Sequence, residues 1–199
     1  AYLPFNSTLN GANTSMTVDT TSNAYHGKIV GTLINATGTW NVGLSDWGSG
    51  DYVAVPKNAI SGVSTGAIQF WAKFAADGAQ ECFLGEQPTG TAFEFCRQAD
   101  NTFYIEFPSP TTCVFGSATF TGAPGPVLIT IFWDGVSIGM YTNGTVFGSV
   151  CANSNAFPTL SSSFAIGDAK DGNAAATTVF DEFKIYKKNQ TDAEIDAAF

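Results

Sequence analysis

Ten residues, Gly66 to Ala75 (GAIQFWAKFA), leave little freedom in how this chain folds. Their apolar side chains recur at every second position, the period of a pleated strand, with Ile68, Phe70, Ala72 and Phe74 on one face and Gln69, Trp71 and Lys73 on the other. One face belongs to a core; the other is solvated or covered. Apolar runs of the same kind follow at Val127 to Trp133, Val136 to Tyr141 and Thr145 to Cys151, bracketed by Asp134-Gly135 and Asn143-Gly144. Those dipeptides tolerate positive φ at both centres of a type I′ turn, so the segment reads as a three-strand meander with Asn143 at a hairpin tip.

Strand signals separated by Gly, Asn, Asp and Pro clusters continue along the chain, and no stretch before the last ten residues keeps a helical period. Gly at 21 and Phe at 17, against eight Lys plus Arg, describe the same thing in composition: many turns and apolar strands. The expected fold class is all-β, a two-sheet antiparallel sandwich. At 199 residues, with no linker, repeat or low-complexity tract, residues 1–199 read as one domain. The last segment, Thr191 to Phe199, opens with the T-x-x-E pattern in which Thr191 caps and Glu194 reaches back to the cap amide. This predicts a short C-terminal helix whose Ile195, Ala198 and Phe199 dock on the sandwich edge.

A net charge of -9 leaves no basic stripe for phosphates, which excludes nucleic acid and an anionic membrane surface as partners. The longest apolar runs fall far short of the roughly 20 residues that cross a bilayer as a helix, so no membrane insertion is expected. The chain starts at Ala1 without a charged-then-apolar leader, as in a mature chain whose signal peptide is gone or in a trimmed one.

Four cysteines, Cys82, Cys96, Cys113 and Cys151, allow three pairings, and none has the C-x-x-C spacing of a zinc knuckle or a thioredoxin-like motif. Cys82 and Cys96 lie about equally far from the turn residues Pro88 to Gly90, so a hairpin there lets the two sulfurs face each other. The expected bridges are Cys82–Cys96 and Cys113–Cys151. Five Asn-x-Ser/Thr sequons, at Asn6, Asn13, Asn35, Asn143 and Asn189, among 13 Asn, exceed the two or three that random placement would give, about what a secreted glycoprotein carries. Disulfides and sequons together point to an extracellular location, secreted or at the cell surface.

Four ordered segments resemble the laminin G-like branch of the concanavalin A-like lectin/glucanase superfamily, and together they span nearly the whole chain. The first is Tyr2-Leu-Pro-Phe5 followed by Asp19-Thr-Thr-Ser-Asn-Ala-Tyr-His-Gly27, similar to the family's D-x-S-G-N-x-x-H-G. The second is Asp51-Tyr-Val-Ala-Val-Pro56 running into Ile68-Gln-Phe-Trp-Ala-Lys73, and the third is Ile129-Thr-Ile-Phe-Trp-Asp-Gly135 continuing to Met140-Tyr-Thr-Asn-Gly144. The fourth joins Ala165-Ile-Gly-Asp168 to Phe180-Asp-Glu-Phe-Lys-Ile-Tyr186 and Asp192-Ala-Glu-Ile195. The chain departs from the pattern at Pro126-Val-Leu128, where the family has Trp-His-His, and at Asn23-Ala24, where it has Asn-Gly. The resemblance implies a jelly roll of about a dozen antiparallel strands whose concave face and rim loops bind glycans in many relatives.

Some members of that superfamily are glycosidases. Retaining hydrolysis needs two carboxyl groups about 5–5.5 Å apart, which sandwich glucanases supply from an E-x-D-x-x-E run absent here. Glu94 and Glu106 are isolated, and the adjacent Asp181 and Glu182 are expected to point to opposite sheet faces. The one histidine, His26, lacks a partner G-x-S-x-G pattern and reads as a turn residue, and a transition-metal ligand set is missing too. The chain is therefore read as no enzyme.

No cofactor is required by these residues, and calcium is the one ion they could hold. The loop Gly167 to Asn173 offers Asp168, Asp171 and Asn173, and the resemblance implies Asp181 as a calcium ligand with carbonyls from around Asp19. For glycan contact the expected platform is aromatic: Trp71 and Tyr141 on the faces opposite their strands' core residues, with Trp40 and Trp47 in a loop-rich stretch. The function expected is carbohydrate or cell-surface receptor recognition and adhesion. Its competitors are a structural subunit of a filament or coat, with copies of itself as partners through the Tyr2–Phe5 strand, and a binding domain cut from a larger enzyme.

Overall fold

The structure, a computed structural model, describes residues 1–5, 16–17, 19–38, 42–45, 47–48, 50–74, 78–87, 93–107, 112–115, 125–168, 178–188, 190–191 and 194, with backbone alone for 34–37 and 42. Two antiparallel sheets pack face to face. The nine-stranded sheet runs, in spatial order, Thr145–Val146 (β14), Ser137–Thr142 (β13), Val127–Trp133 (β12), Gly66–Lys73 (β7), Val179–Tyr186 (β17), Val42–Ser45 (β5) and Ile34–Thr37 (β4). Tyr2–Leu3 (β1) pairs on β17, and Cys151–Ala152 (β15) on β13. The eight-stranded sheet runs Thr112–Val114 (β11), Phe103–Glu106 (β10), Glu94–Arg97 (β9), Glu81–Gln87 (β8), Ser163–Ile166 (β16), Tyr52–Val55 (β6), Gly27–Val30 (β3) and Met16–Thr17 (β2).

The alternation of β7 sorts its side chains as expected: Ile68, Phe70, Ala72 and Phe74 enter the core between the sheets, while Gln69 and Trp71 lie on the other face and are also largely covered. Phenylalanines fill the space between the layers, with Phe70 stacked on Phe183 at 5.7 Å and Phe95 on Phe103 at 5.6 Å between ring centroids. Such pairs add about 0.5–1.5 kcal/mol each beyond their area burial. At the end of this core Arg97 donates to Glu81 at 2.7 Å, a salt bridge directly across β8 and β9 with both side chains sealed from solvent.

The meander forms, with two differences. Asn143 and Gly144 have φ of 51° and 76°, the two left-handed residues of a I′ turn, between Thr142 and its partner Thr145. At Asp134-Gly135 only the glycine is left-handed; Asp134 instead accepts the N–H groups of Val136 and Ser137 on its carboxylate at 2.8 and 2.6 Å, an Asx closure that starts β13 one residue late. The expected third strand is two short pieces, β14 and β15, both on β13.

The C-terminal helix is a correction. Among the described residues no helix reaches seven residues: the 3₁₀ turn Lys57–Ala59 is three residues long, and of the expected segment only Thr191 and Glu194 are described, Glu194 in helical conformation. The capping pair does form, with the Thr191 N–H donating to Glu194 Oε2 at 2.9 Å and the Glu194 N–H to Thr191 Oγ1 at 3.2 Å. A cap satisfies the first turn but does not supply the propagation that offsets helix nucleation. Among the described residues no helix is long and apolar enough to cross a membrane.

Both disulfides join the expected partners, Cys82 to Cys96 across β8 and β9, and Cys113 to Cys151 between the two sheets. Two bridges and no free cysteine are the mark of a chain made in an oxidising compartment, secreted or displayed at the cell surface.

Candidate recognition surface

β17 carries a bulge between Asp181 and Lys184, with Glu182 at φ 53°. The extra residue lets Phe180 and Phe183 both face the core and turns Lys184 and Tyr186 outward. It also corrects the expectation that Asp181 and Glu182 point to opposite faces: alternation fails at the bulge, and Glu182 reaches the outer face, where its Oε2 accepts the Tyr2 hydroxyl.

Register then assembles a row across the outer face of the nine-stranded sheet. Tyr141 stands opposite Thr130, Thr130 opposite Gln69, Gln69 opposite Lys184, and Lys184 opposite Tyr2. Paired residues share a face, so these five side chains stand side by side. Gln69 Nε2 donates to Thr130 Oγ1 at 3.1 Å and Tyr186 donates to Gln69 Oε1 at 3.4 Å, while the Lys184 ammonium sits 5.2 Å from the centroid of the Tyr2 ring. Phe132 and Tyr141 add an aromatic pair at 5.5 Å, which Gly139 permits because a Cβ there would meet the Phe132 ring at 2.4 Å.

The row ends at a cavity of about 400 Å³ whose walls include Tyr2, Thr21, Asn23, Lys184, Tyr186 and Lys187. One wall is the turn over residues 19–26, and Asp19 organises it. Its Oδ1 accepts the N–H groups of Tyr2 and Thr21, both at 2.9 Å, and its Oδ2 accepts the Thr21 hydroxyl at 3.0 Å and the Tyr25 N–H at 2.8 Å. Burial pushes the Asp19 carboxyl up, but these donors from Tyr2, Thr21 and Tyr25 outweigh it and hold the group below the ordinary carboxylate range. The Asp19 N–H donates to His26 Nδ1 at 3.0 Å, so the lone histidine serves the turn. Burial and then the Glu182 carboxylate raise the Tyr2 phenol well above its usual value; burial likewise raises Tyr186.

The aromatic candidates separate. Trp71, opposite Leu128 and Asp181, and Tyr141 lie on this outer face, 8% and 9% exposed. Trp47 is a core residue: it is fully buried, its ring edge-on to Phe180 at 5.2 Å and its Nε1 donating to the Thr178 carbonyl at 2.8 Å. The positive φ of Gly167 brings the chain flat against that ring. Trp40 lies outside the described residues.

Of the expected calcium ligands, Asp19, Asp168 and Asp181 are described, and each accepts hydrogen bonds from the protein. Asp19 commits both oxygens to N–H and O–H donors, Asp168 Oδ2 accepts the Gly50 N–H at 3.0 Å, and Asp181 Oδ1 accepts the Glu182 N–H at 2.9 Å. Asp171 and Asn173 lie outside the described residues. Among those described, the group of three side-chain ligands that converges is Cys82, Glu94 and Cys96, within 4.8 Å of one another. With the sulfurs joined to each other this is a disulfide beside a carboxylate; only its reduced form offers thiolates to a metal. Of the sequons, Asn143 is exposed at its hairpin tip, with its Oδ1 accepting the Leu128 N–H at 2.9 Å. Asn35 lies on β4, and Asn6, Asn13 and Asn189 fall outside the described residues.

The sequence could not have found the cavity, because its walls come from the two ends of the chain. No local signal in the sequence joins Tyr2 to Lys184, 182 positions away.

Comparison with known proteins agrees with this architecture. Domain 4 of AbnA, a GH43 extracellular arabinanase from Geobacillus stearothermophilus, in complex with arabinotriose, is similar with TM-score 0.70 and 17% identity, over 90% of this chain and 91% of that one. The receptor binding domain of botulinum neurotoxin C/D mosaic serotype gives TM-score 0.73 and 14% identity, over 99% of this chain and 49% of that one. The binding domain of botulinum neurotoxin DC in complex with SialylT gives 0.70 and 13%, over 92% and 48%. This chain thus spans about half the length of those toxin domains, and identities this low carry the fold alone. No curated protein matches in sequence. A laminin G-type family model, described as the Concanavalin A-like lectin/glucanases superfamily, matches residues 47–196, and the chain belongs to that superfamily.

Proposed function

We propose that this chain is a non-catalytic extracellular recognition module that binds carbohydrate, free or on a cell-surface receptor, through the outer face of its nine-stranded sheet. The observation that carries this reading is the cavity of about 400 Å³ whose lining includes the aromatic residues Tyr2 and Tyr186 and the polar residues Thr21 and Asn23. Aromatic faces for the apolar side of a sugar, with few polar groups to fix its hydroxyls, are the ordinary means of saccharide recognition. The similar arabinanase domain, solved in complex with arabinotriose, and the toxin binding domain, solved in complex with SialylT, support the direction of the reading. Adhesion is the role such a module would serve, with Asn143, exposed at its hairpin tip, a site for a glycan of its own.

The filament reading has less behind it. Tyr2 and Leu3 pair with Lys184 and Phe183 of the same chain, and Leu3 and Phe5 are buried in their own core. A strand so committed is not available for donation to a neighbour.

A glycan array probed with the purified protein and with Tyr186→Ala tests the proposal. Binding to a defined set of saccharides, weakened about tenfold by loss of the Tyr186 ring, is the expected result. Absence of binding to any saccharide, or binding that ignores Tyr186, would overturn it.

A further inference from the structure

We infer that the saccharide bound between the first and last strands is acidic, a sugar ring bearing a carboxylate; this rests on the carbohydrate reading above. The chain has eight Lys plus Arg against 17 Asp plus Glu, yet Lys184 and Lys187 both line this one cavity. The Lys184 ammonium rests on the Tyr2 ring, and among the described residues no carboxylate pairs with it. Lys187 donates to the Asn58 carbonyl at 2.8 Å and to the Tyr25 hydroxyl at 3.4 Å, both neutral acceptors, with its ammonium 5.1 Å from the Tyr25 ring. Two positive charges therefore stand at the cavity wall without an anionic partner among the described residues.

The acids nearby are turned to other work. Glu182 takes the Tyr2 hydroxyl, and Asp19 is saturated by the turn it organises. Both are largely sealed from solvent, at 7% and 4% exposure. What the cavity presents to a ligand is thus cationic, on a protein whose net charge of -9 would otherwise repel anions. An ammonium held over an aromatic ring keeps N–H directions open for a second, charge-assisted contact, and a carboxylate on a pyranose meets it while the ring lies against Tyr186. Uronate and sialate sugars share that chemistry.

Calorimetric titration distinguishes the sources and the two levels of the claim. The ligands are a trigalacturonate, sialyllactose and neutral lactose, each against the native protein and Lys184→Gln, with thermal melts confirming that the variant folds. The expected result is that at least one acidic ligand binds about tenfold more tightly than lactose, and that Lys184→Gln removes most of that advantage. Equal affinity for lactose and the acidic sugars would overturn the acidic preference and leave carbohydrate recognition standing. An acidic preference unchanged in the variant would overturn the role of this cavity. Failure of all three to bind, together with a blank array, would remove both.

Discussion

Asp19 Oδ1 accepts the backbone N–H of Tyr2 at 2.9 Å, and with the Thr20 N–H donating to the Tyr2 carbonyl at 3.1 Å it holds the first strand against the turn that forms the cavity wall. Removing the carboxylate with Asp19→Ala strands the N–H groups of Tyr2, Thr21 and Tyr25 at a site only 4% exposed, and is expected to cost about 2–3 kcal/mol in urea unfolding.

The same residue gives a pH dependence. Its folded pKa lies below the unfolded value of about 3.9, so its stabilisation is complete above that value and lost as pH falls through the lower folded pKa. The stability difference between native protein and Asp19→Asn should hold constant from neutral pH down to about pH 5 and shrink below about pH 4. A difference that stays flat to pH 2.5 in urea midpoints would contradict the assignment.

Ala24 occupies the left-handed region at φ 51°. A Cβ is unfavourable there, and Ala24→Gly should stabilise by about 0.5–1 kcal/mol after glycine's own entropy cost, with Ala24→Val destabilising. Thermal melts of the two variants should move in opposite directions.

The sealed Arg97–Glu81 pair predicts a non-additive double mutant. Arg97→Met leaves the Glu81 carboxylate buried without its guanidinium and should cost about 3–5 kcal/mol. Adding Glu81→Leu should recover most of that loss, since two apolar side chains beside Phe74 replace a pair that both had to be desolvated. Urea midpoints of the two single variants and the double variant measure the coupling.

The disulfides should contribute unequally. With its partners 14 positions apart, Cys82–Cys96 restricts the unfolded chain by about 3 kcal/mol, and Cys113–Cys151, 38 apart, by about 4 kcal/mol. Paired Cys→Ala variants compared by denaturant unfolding should preserve that order.

Much of the fold was legible because its signals are local. Period-2 alternation told Phe70 from Trp71, Asn143-Gly144 carried its own turn geometry, and the near-symmetric spacing about Pro88 to Gly90 aligned Cys82 with Cys96. Where expectation failed, a competing contact decided. Asp134 closed its loop with a carboxylate, and Glu182 entered a bulge that broke the alternation.

The sequence by itself determined the class of fold, the superfamily pattern and the oxidising compartment, since each depends on side-chain periodicity, turn dihedrals or cysteine spacing within short stretches. Only the tertiary structure decided that Trp47 belongs to the core and that Tyr2 meets Lys184 across 182 positions at the mouth of a cavity. The reason is that strand register and layer packing, which bring distant residues together and withdraw others from solvent, are set by the whole sheet and by no segment of it.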